Sequence, residues 1–161
     1  MKQIGQYAAV AAKYVISVLI AGYIALLLLF VGESRRPFDE VSKDVSRAID
    51  TDRLSEQDSQ ALKRNFGLNS SEFSGVLYYA SVSGISAEEV LLVQTADDSQ
   101  ITQVTDALKE HVEKRMEEFA GDMPEQGALL ENAVHSVRGN YIFFAVSQDA
   151  ERYRKTFADS L

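Results

Sequence analysis

Residues 14 to 31, YVISVLIAGYIALLLLFV, carry no charged side chain, and this run constrains the chain more than any other feature. At a rise of about 1.5 Å per residue, a helix of that length reaches roughly 27 Å, close to the hydrocarbon thickness of a bilayer. A cleavable leader has a shorter apolar core of about 7 to 15 residues, closed by a small-x-small site. Here the run is longer and ends Leu28-Leu29-Phe30-Val31-Gly32-Glu33, without Ala-x-Ala. The pattern predicts an uncleaved signal anchor, a transmembrane helix over 14–32. A short tail, 1–13, precedes it, and a juxtamembrane linker, 33–37, leads to a soluble domain, 38–161.

Orientation rests on the residues flanking the run. Lys2 and Lys13 before it balance Arg35 and Arg36 after it, so the positive-inside count is a tie. The α-amino group adds to the first side, which has no acid, whereas Glu33, Asp39 and Glu40 follow the run. The expectation is a single-pass protein of the cell membrane with its C-terminal domain on the extracytoplasmic side and membrane lipid around its N-terminal helix.

Beyond the run, 14 Lys and Arg face 24 Asp and Glu, a formal charge of −10. Such a surface repels phosphate backbones, and no basic stripe interleaved with aromatics is present, so nucleic acid is excluded as a partner. The chain has no cysteine. Disulfides, thiolate metal sites, a cysteine nucleophile and a lipid-modified cysteine are thereby removed.

Periodicity divides the soluble part. Phe38, Val41, Val45 and Ile49 recur at helical spacing, with Asp39 and Glu40 in the first turn where the helix dipole favours them. A second helix is expected over Ser55 to Phe66, with Ser55 as N-cap, Asp58 three residues on and Gly67 as terminator. Residues 75–82 and 89–95 are rich in β-formers and are separated by the turn-like Ser83-Gly84-Ile85-Ser86-Ala87, which predicts a hairpin. Ile101, Val104, Leu108, Val112, Met116 and Phe119 line one side of a long amphipathic helix over 97–120. Residues 123–127 read as a loop. A second hairpin follows, 133–137 and 141–147, around Arg138-Gly139-Asn140, whose turn calls for positive φ at Gly139 or Asn140. Residues 149–161 close the chain as a helix. The fold class is therefore α+β, an antiparallel four-stranded sheet packed with helices in the order α-α-β-β-α-β-β-α.

Residues 141–146 and 76–79 are apolar on both sides, whereas a sheet wet on one face alternates. Both faces need cover. Either helices divide between them, or one face receives a partner or a second copy of the chain, in which case Tyr78, Tyr79, Tyr141 and Phe143 form the interaction or ligand surface.

Chemistry is sparse. His111 falls in the long helix and His135 in a strand, and neither HExxH nor HxH occurs, so they read as boundary histidines and no metal is expected. Glu88-Glu89 and Asp97-Asp98 are the acids that could be imagined around calcium, but Asp97 and Asp98 also stand where a helix N-terminus takes negative charge. There is no GxSxG elbow, GxGxxG or GxxxxGK, so no catalytic residue and no cofactor is assigned, and an enzyme is not expected.

The second half resembles an uncharacterised bacterial family, the "domain of unknown function" family numbered four-three-five-eight. The likeness rests on Glu88 to Thr95, EEVLLVQT, and on the charged amphipathic helix running to Met123-Pro124-Glu125. Leu129 to Val134 and Gly139 to Phe143 complete it. The resemblance implies an exported domain behind a signal peptide or membrane anchor in Gram-positive bacteria and transfers no catalytic residue. The expected role is a non-enzymatic binding or interaction module of the cell envelope with a protein partner. The alternative is a sensor or binding domain for a small molecule or cell-wall fragment.

Overall fold

Two strands of this protein leave no face for water. β3 (Glu89–Gln94) buries its first five residues, and β5 (Tyr141–Val146) buries all six. In the computed structural model, which describes residues 36–161 together with Ile20 and Gly22, these strands lie side by side in a fully antiparallel sheet. β1 (Leu54–Glu56), β2 (Gly75–Ser81) and β4 (Val134–Arg138) complete it in the order β1-β2-β3-β5-β4. The anchor expected over 14–32 lies outside the described residues. Among the described residues no helix is long and apolar enough to cross a membrane.

Five helices cover the sheet among the described residues: α1 (Phe38–Ala48), α2 (Ser59–Phe66), α3 (Asp98–Phe119), α4 (Pro124–Glu131) and α5 (Ala150–Asp159). Strand alternation sends Leu91, Val93, Ile142 and Phe144 to one face, where they pack with Leu62 and Phe66 of α2, Val104 and Leu108 of α3, and Leu130 of α4. Val90, Leu92, Tyr141 and Phe143 go to the other, against Val41 and Val45 of α1 and Tyr153 and Phe157 of α5. The demand for two-sided cover is met by the chain's own helices, in three layers.

The first and last helices are tied together. The Arg36 guanidinium donates to the Ser160 carbonyl at 2.6 Å, and the Tyr141 hydroxyl donates to the Arg36 carbonyl at 2.8 Å. Arg152 of α5 donates to the Ala48 carbonyl at 3.0 Å, and the Asp50 N–H to the Tyr153 hydroxyl at 3.3 Å.

Three expectations need correction. The sheet has five strands, because Leu54–Glu56 is extended and pairs with Tyr79–Ser81. Ser55 is consequently a strand residue, and Asp58 caps α2 by accepting the Ala61 N–H at 2.8 Å. The pull on this segment is Leu54, which is buried on the α1/α5 side. Met123 to Gly127 is no loop either: Pro124 opens α4 at a position where its missing N–H costs nothing. The second hairpin turns as expected, with positive φ at Gly139 and none at Asn140, the pattern of a type II′ turn.

Gly75 is set by close approach. A Cβ there would stand 2.3 Å from the Phe38 ring, which also stacks on Tyr141 at 6.4 Å between centroids. Gly75→Ala is expected to lower stability by about 1–3 kcal/mol through overpacking. In a Phe38→Ala background the added loss should shrink towards zero, as read by denaturant unfolding of the four proteins of the cycle.

Candidate functional site

A polar cluster lies buried among the described residues, between α2, α3 and the start of β3. Glu89 heads β3 and points to the α3 side, opposite Ala80 of β2. Its Oε1 lies 2.7 Å from Nε2 of His111, and both side chains are 5 % exposed. His111 Nδ1 lies 3.0 Å from the carbonyl oxygen of Asn65 in the last turn of α2. The Asn65 side-chain amide donates to the Tyr78 hydroxyl at 2.8 Å, and that hydroxyl donates to Glu89 Oε2 at 3.2 Å. Four residues from four elements thus close a ring of hydrogen bonds.

Both nitrogens of His111 face oxygen atoms, so the imidazole is held at each end, to β3 by Glu89 and to the last turn of α2 by the Asn65 carbonyl. Burial, and then the charge of Glu89, push the Tyr78 hydroxyl well above its ordinary range, which keeps its proton in place for Glu89. Phe66 seals the apolar side, its ring 4.1 Å from the His111 ring and edge-on to Tyr78.

On its outer side the ring borders a cleft of about 180 Å³, walled by Ser81, Ser83, Ser86 and Arg115. Arg115 is itself held, donating to Glu118 at 2.9 Å and to the Ser86 carbonyl at 3.1 Å, with its guanidinium over the Phe119 ring. Next to Glu89, Glu88 belongs to a second cluster. The Arg53 guanidinium donates to Asp50 at 2.9 Å, Glu88 at 2.9 Å and Asp149 at 2.6 Å, and Ser147 donates to Glu88 at 2.9 Å. This clamp joins the segment before β1, the start of β3 and the start of α5. Arg53 holds the Asp50 carboxyl below its usual range, and Arg152 followed by Arg53 does the same for Asp149.

The four aromatic residues expected to share a surface do not share one. Tyr79, Tyr141 and Phe143 pack in the core beneath α1 and α5, Tyr141 and Phe143 with no exposure, while Tyr78 points through the other face into the polar ring. The correction follows from the helices that occupy both faces. Asp97 is the N-cap of α3, accepting the Ser99 hydroxyl and the N–H groups of Ser99 and Gln100, which hold its carboxyl low. Among the described residues no group of His and acidic side chains is arranged to hold a metal ion.

A family model described as Domain of unknown function (DUF4358) matches residues 47–147. The chain belongs to this family. No curated protein and no solved structure matches it. The DUF4358 match takes in all five strands, every member of the polar ring and the Arg53 clamp apart from Asp149, and it leaves out most of α1 and all of α5.

His111, read from the sequence as a boundary histidine, is a buried member of the ring instead. It lies one turn from Leu108 on the apolar stripe of α3, and an imidazole on a buried stripe needs partners. Glu89, an acid opening an otherwise apolar strand, was the matching signal. Removing the imidazole leaves buried Glu89 with Tyr78 as its one remaining partner in the ring and opens a cavity, so His111→Ala is expected to cost about 3–5 kcal/mol. The double variant Glu89→Leu with His111→Leu should cost less than the sum of the two single variants, checked by chemical denaturation.

The clamp carries a pH prediction. Asp50 and Asp149 have folded values below their unfolded ones, so their contribution is present above the unfolded carboxylate value and lost as pH falls through the lowered folded values. Arg53→Met should lower stability at neutral pH and flatten the stability profile between about pH 5 and about pH 2, followed by thermal unfolding across that range.

Proposed function

We propose that this protein is a membrane-anchored extracytoplasmic module of the bacterial cell envelope whose role is binding rather than catalysis. The observation that carries this reading is how the buried titratable groups are engaged. His111 meets an oxygen with each ring nitrogen and Glu89 is bonded at each oxygen, so both side chains are engaged in hydrogen bonds that hold the fold together. A general acid or base instead has to come within reach of a substrate. The charge-free run at 14–31 supports the anchor, and the domain's strongly acidic balance suits a solvated body held off anionic lipid.

The partner in this reading is another envelope protein. Both faces of the sheet are occupied by helices, which leaves the outer side of α3 and the sheet edges as docking surfaces. The cleft of about 180 Å³ beside Tyr78 favours a second reading, recognition of a small polar molecule such as a cell-wall fragment.

Cross-linking in intact membranes followed by purification tests the first reading. Co-purification of a distinct envelope protein, lost on charge reversal of Lys109 and Glu113 on α3, is the expected result. Recovery of a protein that distributes into the aqueous fraction and captures nothing refutes it. The second reading expects muropeptides to raise the melting temperature of the domain, and Tyr78→Phe to weaken that shift.

A further inference from the structure

β4 is an open edge of the sheet, and among the described residues no strand or helix pairs with its outer side. Natural sheets blunt exposed edges by brevity, lysine, proline or bulges. The opposite edge, β1, is three residues long, and the Gln57 amide folds back over it, donating to the Ser55 carbonyl at 3.0 Å and hydroxyl at 2.9 Å. β4 is five residues long, contains no proline or lysine, and pairs with β5 in unbroken register from Val134 to Arg138.

The register decides which groups are unpaired. A two-residue turn makes Arg138 and Tyr141 a hydrogen-bonded pair, so Val134, Ser136 and Arg138 direct their N–H and C=O groups to β5. His135 and Val137 turn theirs outward, and among the described residues no donor or acceptor meets them. These two residues flank Ser136 symmetrically. A second β4 laid antiparallel across a twofold axis at Ser136 sets His135 of each copy against Val137 of the other, so four outward N–H groups meet four outward carbonyls. An edge with this spacing is complementary to itself.

Side chains and charge agree with that pairing. His135 and Val137 stand in register with Phe144 and Ile142, on the α3 side of the sheet, and Val137 is 40 % exposed. Between α3 and β4 runs an apolar groove of about 350 Å³ lined by Leu108, Val112, Ala133, His135 and Phe144. The twofold axis sets the copy's Val137 opposite His135, at the mouth of this groove. β4 has no acidic residue in a chain that carries −10 beyond its apolar run, so it is a route by which two copies approach with little repulsion.

The geometry points to a homodimer formed by antiparallel β4 pairing about Ser136, with a continuous ten-stranded sheet. The occupant of the edge is a second copy of this chain, and the assignment rests on the fold alone, independent of the envelope reading. A contact between two five-residue strands is small against the roughly 1,000 Å² that a stable interface clears, so the dimer is of the weak, concentration-dependent kind.

The absence of cysteine gives a clean test. Ser136 faces its own copy in a non-hydrogen-bonded pair, where Cα atoms approach to about 4.5 Å, within disulfide range. Full-length Ser136→Cys is oxidised mildly in whichever fraction holds it, membrane or aqueous, beside Ser83→Cys, which places a thiol on an exposed loop. The expected result is a disulfide-linked dimer forming about tenfold or more faster at position 136 than at position 83. Adding Val137→Lys should bring that rate down to the loop value, and adding Val137→Thr should leave it high, with circular dichroism unchanged in both. Equal rates at the two thiols, insensitivity to Val137→Lys, or a mixed disulfide with a different protein in place of the dimer overturns the assignment. Because the fraction is recorded together with the rate, a failed anchor and a failed pairing are separate outcomes.

Discussion

The two-sided burial of β3 and β5 governs this structure. A strand with water on one side can sit at a surface, but eleven of the twelve residues in these two strands are buried. Leaving either face open would expose a contiguous sheet of valine, leucine, isoleucine and phenylalanine, at roughly 25 cal/mol for each Å² returned to water. Helices must therefore occupy both sides. The chain supplies them unequally, with three from between the strands and two from its ends. The DUF4358 match contains the sheet and one complete helical layer, while the other layer depends almost wholly on segments beyond it.

Within that apolar frame the polar ring is tolerated because it is complete. A buried carboxylate costs far more than a buried leucine unless donors surround it, and Glu89 has two, from His111 and Tyr78. Asn65 acts twice, through its carbonyl and through its amide. The ring couples α2 and α3 to β2 and β3, so it specifies how the helical layer sits on the sheet as well as contributing to stability. The Arg53 clamp acts at the same end of the sheet and reaches across to α5. Together the two clusters fasten both helical layers to the first residues of β3.

Much of this was legible in the residues. Strands β2 to β5 and helices α1, α3 and α5 follow from period and turn chemistry to within one or two positions, because each has a clean apolar pattern bounded by glycine, proline or capping acids. β1 was not legible, because three residues are too few to show alternation and Ser55 carries good capping chemistry. α4 was hidden by Pro124 and Gly127, which read as loop residues although proline suits the first turn of a helix. At the site, Tyr78 stood out but its partners did not. Asn65, Glu89 and His111 are far apart in sequence, and only the crossing of α3 over the start of β3 brings them within hydrogen-bond range.

The tie between Arg36 and Ser160 places the beginning and the end of the folded body side by side. Topologically the domain is a loop closed by one guanidinium. A short linker could join residue 161 back to residue 36 and new ends be opened at an exposed turn such as 83–85, giving a circular permutant with the same layers. By the same geometry, a reporter fused after Leu161 would emerge beside the point where the polypeptide enters the domain.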